Sequence, residues 1–252
     1  MNPSRKQEPD LPSAVRTFWS ERQKRSGIVA ANRDLLATLW EFVRDSTPSR
    51  LRSRFGDADY DWDFRVNTTS GAVAWRDRLL GALNSPYQPT EPELFREMME
   101  AMQQQTHADL SEFTFVDLGS GKGRTLLMAS EYPFRKIVGV ELLPSLHRIA
   151  EENIKLYQSD SQRCFDLQSV CADATNYSLP ETPLLIYLFN PFPEAGLRRA
   201  LANLKSSLGT NPRACYVLYH NPQLEQVLTE SAFLRKLGAT HQYSIFTASS
   251  ND

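Results

Sequence analysis

Short apolar runs and stretches with helical spacing of apolar side chains alternate through the second half of the chain. Apolar runs of this length, bounded by turn residues, are typical of buried strands. We predict strands at residues 113–116, 136–140, 166–171, 184–189 and 214–219, followed by a strand pair at 233–240 and 243–247. Strands that alternate with helices favour an α/β fold. The pattern therefore predicts a seven-stranded, mostly parallel sheet with helices on both faces.

The residues before this pattern differ in composition. Residues 1–12 are polar and carry three prolines, which is typical of a disordered tail. Residues 13–85 contain apolar side chains at helical spacing, and they predict a helical N-terminal extension or cap. We assign residues 86–252 to the α/β domain.

The extension has an aromatic stripe and a surplus of basic side chains. Trp19 and Trp40 lie in the apolar stripe, which favours docking on the main domain over a free tail. Basic residues predominate through Arg54, and acids are interspersed among them. Two interpretations stay open for this charge: a surface for a partner or nucleic acid, and a solvated helix face.

A glycine-rich loop follows the first predicted strand. Asp117 precedes Gly119, Gly121 and Gly123, and Ser120 lies between the first two glycines. Glycines between a strand and a helix let a ligand approach the backbone. Dinucleotide sites read G-x-G-x-x-G and bind a pyrophosphate at a helix N-terminus, whereas this loop reads G-x-G-x-G. A carboxylate beside the loop would repel a pyrophosphate and suits a ligand with an ammonium group.

This loop, together with Glu141 at the end of the second predicted strand, resembles the first motif of the class I S-adenosylmethionine-dependent methyltransferases. DLGSGKG and VGVE also have a distant likeness to Dot1-type lysine methyltransferases. The resemblance implies a Rossmann-like fold and S-adenosyl-L-methionine as cofactor. It places Asp117 and the loop around the methionine end, and Glu141 on the ribose hydroxyls. It further implies that Asp173, beside Ala174 after the third strand, binds the adenine amino group.

The segment before the sheet holds two more candidates. Pro86 and Pro89 keep the intervening residues extended, and Thr90 is a candidate N-cap for a helix that Glu91 and Pro92 open and that runs to about residue 105. Lysine methyltransferase families that the chain resembles have a similar stretch before the first motif, which implies that Tyr87 and Thr90 contact the cofactor. A plain helix start with a packed tyrosine is the alternative.

The fourth predicted strand ends in Asn190, Pro191 and Phe192, our candidate catalytic residues. The Asn190 amide oxygen and the Pro191 carbonyl can accept both hydrogens of an amino group, and Phe192 can stack on a planar or cationic acceptor. The triplet resembles the NPP(Y/F) motif of amino methyltransferases, although the second proline is absent. A purely structural turn is the alternative.

Composition narrows the remaining choices. The net charge of −2 gives no strong attraction to nucleic acid or membrane, so a nucleic acid acceptor is possible but not indicated. No apolar stretch is long enough to cross a membrane, and three scattered cysteines suit a reducing compartment such as the cytoplasm. The histidines are scattered, and the acidic run at residues 57–63 lacks the glycine and glutamate of a calcium loop, so no metal is expected.

We therefore expect methyl transfer to a nitrogen acceptor, either a small molecule or a protein. Two alternatives are an NAD-type oxidoreductase on the same topology and a non-catalytic S-adenosylmethionine-binding protein. The predicted strand ends through Phe192 carry no strong base, and His220 is the nearest candidate if one is needed. The acceptor and the oligomeric state are not specified by these patterns.

Overall fold

The computed structural model describes residues 58–69 and 89–248, and single helical residues at 19, 20, 23, 28, 29 and 32. The chain divides into two compact units, Met1–Asp59 with Thr69–Gln88, and Tyr60–Thr68 with Pro89–Asp252. In the first unit, the Trp19 indole N–H donates a hydrogen bond of 2.8 Å to Asn32 Oδ1. The second unit contains the sheet and the candidate site.

The second unit is built on a seven-stranded sheet in the order β3-β2-β1-β4-β5-β7-β6. Its strands are β1 Thr114–Leu118, β2 Lys136–Glu141, β3 Leu167–Cys171, β4 Leu184–Leu188, β5 Cys215–His220, β6 Leu234–Ala239 and β7 Tyr243–Ala248. The four pairs formed by the five strands from β3 to β5 are parallel, whereas β7 runs antiparallel to both of its neighbours. The predicted mostly parallel, seven-stranded α/β sheet is confirmed.

Helices cover the sheet. They are α1 Ala58–Phe64, α2 Pro92–Thr106, α3 Arg124–Ala129, α4 Pro144–Leu156, α5 Glu194–Thr210 and α6 Glu225–Thr229, with a 3₁₀ turn at Leu110–Glu112. Adjacent strand residues point to opposite faces, so Phe115 joins one apolar core with α2, whereas Val116 joins another with α5. β1 and β4 are buried along their whole length, as expected for central parallel strands.

One local expectation from the sequence was wrong. Thr90 does not cap α2, because the N-cap position is taken by Glu91 without a side-chain hydrogen bond. The Thr90 hydroxyl instead lies 2.7 Å from the Tyr187 hydroxyl in the interior. Most of the alternating acids at residues 57–63 lie in α1.

Within the described residues, no helix is both long and apolar enough to cross a bilayer. The same part of the chain contains no group of three or more His, Cys, Asp or Glu side chains that could hold a metal ion.

Candidate active site

The glycine loop joins the carboxyl end of β1 to α3 in a conformation that depends on its glycines. Gly119, Gly121 and Gly123 have φ values of 93°, 54° and 82°, in the left-handed region that side chains disfavour. The backbone N–H groups of Gly119 and Ser120 donate to the Val140 carbonyl at 2.8 and 3.2 Å. These bonds hold the loop against the end of β2, where Glu141 follows.

Glu141 is bonded to the loop itself. Its Oε2 accepts from the Gly121 N–H at 2.8 Å, and its Oε1 accepts from the Leu143 N–H at 2.7 Å. The carboxyl is buried, and burial raises its pKa. A carboxylate offers about four lone-pair sites, so each oxygen keeps capacity to accept from a hydroxyl of a ligand.

Asp117 is a second buried acid at the same end of the sheet. It is 2% exposed, and Thr125 Oγ1 donates to its Oδ2. Burial, with the charge of Glu141 as a lesser cause, raises the pKa of Asp117 to about 7, although the bond from Thr125 opposes the shift. Two neighbouring acids of this kind favour a cation and disfavour a phosphate.

The loop and the Asn190–Phe192 turn touch. A Cβ built on Gly119 would lie only 2.6 Å from Pro191 Cβ, so only glycine fits there. Phe192 is half-buried and packs against the α5 side of the core. The structure therefore places the predicted cofactor loop and the predicted acceptor turn side by side.

Asn190 is held by Tyr219 on β5 and by Asn221, which follows that strand. Its φ of 46° is left-handed, a conformation that asparagine tolerates better than most residues. The Tyr219 hydroxyl donates to Asn190 Oδ1 at 2.8 Å, and Asn190 Nδ2 donates to the Asn221 carbonyl at 2.6 Å. Strained residues of this kind cluster at functional sites.

A second Asn-Pro turn was not predicted from the sequence. Asn221 and Pro222 follow β5 as Asn190 and Pro191 follow β4, and Asn221 also has a φ of 46°. The repeat of Asn-Pro after two predicted neighbouring strands was a signal that could have been used. The two turns are joined by the bond from Asn190 to the Asn221 carbonyl.

The adenine candidates lie at the end of β3. Asp173 is exposed, and its Oδ1 accepts from the Thr175 N–H at 2.9 Å. The Ala172 N–H donates to the Glu141 carbonyl at 3.0 Å, which ties this turn to the end of β2. Ala174 is buried in the core. Asp173 therefore presents a carboxylate beside the end of β2.

A further apolar candidate is Leu142, which our sequence analysis also missed. It directly follows Glu141, yet 48% of its surface is exposed. An apolar side chain exposed next to a candidate ribose ligand provides a surface for a base. Its position one residue after the acid was the available signal.

Thr90 lies within a buried polar cluster. Its Oγ1 is 2.7 Å from the Tyr187 hydroxyl, which is 2.9 Å from His220 Nδ1. Phe189 stacks on the His220 ring with 3.9 Å between ring centroids. Burial lowers the pKa of His220 to about 4, so this ring is neutral at physiological pH. Tyr87 lies outside the described residues.

The residues present fit S-adenosyl-L-methionine. The loop gives the close backbone approach that a ligand needs, since Gly119 and Gly121 hold conformations that a side chain would not. Asp117 suits the ammonium group, and Glu141 has free acceptor capacity for the ribose. The Ser120 hydroxyl is buried beside Gly139, and its backbone N–H is bonded to the Val140 carbonyl.

Comparison with known proteins supports this assignment. Residues 82–170 match the family model described as histone methylation protein DOT1. This stretch includes β1, the glycine loop and β2. No curated protein is significantly similar in sequence to the chain.

Similar solved structures include three methyltransferases. The RNA methyltransferase from Salinibacter ruber, in complex with S-adenosyl-L-homocysteine, shares 16% identity with a TM-score of 0.41, over 64% of this chain and 92% of that one. The ribosomal protein L11 methylase from Lactobacillus delbrueckii subsp. bulgaricus shares 15% identity with a TM-score of 0.44, over 65% and 81%. The rRNA methyltransferase aviRa from Streptomyces viridochromogenes shares 13% identity with a TM-score of 0.45, over 65% and 86%.

The strand order, the glycine loop between two acids and the DOT1 match agree with one another. They confirm the cofactor and the activity predicted from the sequence, and they favour neither the oxidoreductase nor the non-catalytic alternative. The chain is a class I S-adenosylmethionine-dependent methyltransferase that resembles the DOT1 family over residues 82–170.

Proposed function

We propose that the methyl acceptor is a nitrogen atom held at the Asn190–Phe192 turn. The observation that carries this proposal is the contact between the cofactor loop and the turn, where Gly119 leaves no room for a side chain beside Pro191. A group bound at the turn lies next to the loop that we assign to the methionine end. Proximity of this kind is the main requirement for an in-line transfer.

The cofactor, when bound, supplies a methyl group that is already activated on a sulfonium. The chain therefore has to bind the cofactor, orient the acceptor and exclude water. We assign the ammonium group to Asp117 and the loop, the ribose to Glu141, and the adenine to Asp173, Ala174 and the exposed face of Leu142. Thr90, which lies just before α2, is proposed to line the same site.

Asn190 has one principal bond to its amide oxygen, from Tyr219, and a longer approach of 3.4 Å from the Gln223 N–H. An amide oxygen has two lone pairs, so a hydrogen of a bound amino group would replace the long bond from Gln223 at Oδ1, while the Pro191 carbonyl accepts the other hydrogen. Two converging acceptors suit an amine and do not suit a carboxylate acceptor. This difference favours nitrogen over oxygen.

An amine must be neutral to attack, and the proton that it later releases needs an outlet. The Asn190 turn is partly exposed, so solvent can take that proton. His220 is a weak base because its pKa is about 4. We therefore assign His220 to the buried cluster and not to proton abstraction.

The test starts with product analysis. Cell extract is incubated with the enzyme and cofactor labelled in the methyl group, and the labelled fraction is then treated separately with protease and with nuclease. This treatment distinguishes protein, nucleic acid and small-molecule acceptors. The labelled product should resist mild alkali, as an N-methyl group does; loss of label as methanol would show an O-methyl ester and contradict the proposal.

A variant then tests the role of Asn190. Asn190→Ala should lower turnover by about 10²-fold or more while cofactor affinity stays near wild type, because the amide acts on acceptor geometry. Asn203→Ala, which removes an amide bonded only to the Tyr177 carbonyl in the described contacts, is a matched control. Full activity of Asn190→Ala would remove the residue from the reaction.

Cys164 and Cys215 are buried free thiols, and this supports a further proposal that the protein works in a reducing compartment such as the cytoplasm.

A further inference from the structure

A short segment upstream of the sheet is folded tightly on itself. The Thr68 N–H donates to the two carboxylate oxygens of Asp61 at 2.8 and 2.7 Å, and the Thr68 hydroxyl donates to the same carboxylate. Asn67 lies in the sequence between the end of α1 and Thr68. We refer to Asp61, Asn67 and Thr68 as the clasp.

The clasp binds the two basic side chains that flank Gly123. Arg124 Nε donates to the Thr68 hydroxyl at 2.6 Å, and a guanidinium nitrogen of Arg124 lies 3.6 Å from Asp61 Oδ1. Lys122 Nζ donates to Asn67 Oδ1 at 2.9 Å. Residues more than 50 positions apart in the sequence thereby fix both sides of Gly123.

Asn153 on α4 joins the clasp to the backbone of the loop. Its Oδ1 accepts from the Asn67 N–H at 2.8 Å, and its Nδ2 donates to the Asn67 carbonyl at 3.0 Å. The same Nδ2 donates to the Lys122 carbonyl at 2.9 Å. Asn153 is buried, so these bonds are shielded from water.

The charges in this network are buried as well. Arg124 is 2% exposed and Lys122 is 5% exposed. Burial lowers the pKa of Lys122, and the charge of Asp61 opposes that shift. A buried cation is costly unless it is paired, so removing the Asp61 charge should affect both basic side chains.

We propose that Asp61, Asn67 and Thr68 are positioning residues for cofactor binding, which they support by holding the glycine loop in its binding conformation. This inference rests on the proposed cofactor site. Three glycines make the loop costly to order, and any ordering left until binding weakens affinity. The clasp acts through Lys122 and Arg124. It orders the loop in the free protein, so the free-energy cost of ordering does not reduce cofactor affinity.

The first test compares two acids on α1. Asp61→Asn should weaken S-adenosylhomocysteine binding by about tenfold in calorimetry, with the loss appearing as a less favourable entropy of binding. Asp63→Asn neutralises an exposed acid two positions away on the same helix and should bind like wild type. Equal affinity of wild type and Asp61→Asn would overturn the proposal.

The second test separates positioning from stability. Thr68→Val removes the hydroxyl bonded to Arg124 and should weaken binding of S-adenosylhomocysteine. Thr68→Ser keeps the hydroxyl and should bind this ligand like wild type. If Thr68→Val lowered only the unfolding midpoint, with unchanged affinity of the folded protein, the clasp would be merely structural and the proposal wrong. Glu141→Ala tests the proposed cofactor site separately. If this variant binds S-adenosylhomocysteine like wild type, the assignment of the cofactor site is wrong, whatever the role of the clasp.

Hydrogen exchange of the wild type gives a measurement that does not depend on a variant folding. Adding S-adenosylhomocysteine should protect amides of residues 60–68 together with those of Gly119–Arg124, since the clasp and the loop are one bonded network. Protection confined to the loop would contradict the proposed coupling.

Discussion

The Tyr219 hydroxyl donates a hydrogen bond of 2.8 Å to Asn190 Oδ1, across the carboxyl ends of β4 and β5. The same hydroxyl accepts from the Leu224 N–H at 3.3 Å, so Tyr219 is itself fixed by the turn that follows β5. The orientation of the Asn190 amide is therefore set from outside the Asn190–Phe192 motif. Under the proposed role of Asn190, acceptor geometry would depend on Tyr219, which lies outside that motif.

Tyr219→Phe should lower turnover by up to about tenfold, because one neutral hydrogen bond is worth about 0.5–1.5 kcal/mol. The ring keeps its packing, so cofactor affinity and the unfolding midpoint should change little. Steady-state kinetics with calorimetry on the same preparation measures both quantities. Tyr216→Phe, on the same strand, is the matched control; equal turnover of the two variants would show that Tyr219 does not orient Asn190.

The glycine loop supports a second prediction. Gly119→Ala should block cofactor binding, because its Cβ would lie 2.6 Å from Pro191 Cβ and its φ of 93° would be strained. Gly121→Val should have a similar effect through its φ of 54°. Gly209→Ala is the control, since nothing lies within 4 Å of a Cβ built there. Normal cofactor affinity in a folded Gly119→Ala protein would show that the loop and the turn can separate.

The third prediction concerns acid stability. An unfolded histidine binds a proton near pH 6.5, whereas burial delays protonation of His220 to about pH 4. Between these values the unfolded state holds more protons, so the contribution of His220 to stability is present above pH 6.5 and is lost as the pH falls toward 4. The full loss is on the order of 3 kcal/mol.

Denaturant unfolding of wild type and His220→Asn between pH 7 and 4.5 measures this contribution. The variant replaces the imidazole with an amide that does not titrate, so its stability should fall less steeply with decreasing pH. The comparison cancels the carboxylates common to both proteins. Parallel curves would mean that His220 is protonated normally in the folded state.

The sequence was enough to predict the sheet, the loop and the acids at strand ends, because these depend on local patterns. The run of apolar residues in β4 and the glycines after Asp117 each carry their own signal. The partners of Asn190 could not be predicted in the same way, because nothing in the sequence distinguishes Tyr219 from the other apolar residues of its predicted strand. Its hydroxyl becomes important only because β5 lies beside β4.

The clasp shows the same limit more strongly. Asp61 stands in an acidic run that resembles a solvated or metal-binding segment, and Arg124 resembles an exposed residue at a helix start. Their pairing spans 63 positions and buries the arginine almost completely. Thr90 was assigned to a cap because its spacing suits one, but tertiary contact with Tyr187 determined its side-chain position.

The last prediction is a pH dependence of cofactor binding that arises at Asp117. Burial and the nearby Glu141 charge raise the pKa of Asp117 to about 7 in the free protein, so this carboxyl is mostly protonated at pH 6. An ammonium group bound beside it favours the ionised form and lowers that pKa.

Binding should therefore release a proton below about pH 7, and affinity for S-adenosylhomocysteine should rise as the pH increases from 5.5 to about 7.5 and then level off. The stability of the free protein should change in the opposite direction. An unfolded aspartate ionises near pH 3.8, whereas the buried Asp117 stays protonated until about pH 7. The contribution of Asp117 to stability is therefore lost as the pH rises between these values.

Calorimetry in buffers of different ionisation enthalpy measures the released proton directly. Methylthioadenosine, which lacks the ammonium group, is the matched ligand, and its affinity should not vary with pH in this range. Asp117→Asn should bind S-adenosylhomocysteine weakly and without the pH dependence, because its side chain cannot ionise. If the affinity of wild type for S-adenosylhomocysteine were as independent of pH from 5.5 to 8 as its affinity for methylthioadenosine, the ammonium group would not lie beside Asp117. The assignment of the methionine end to this loop would then be wrong.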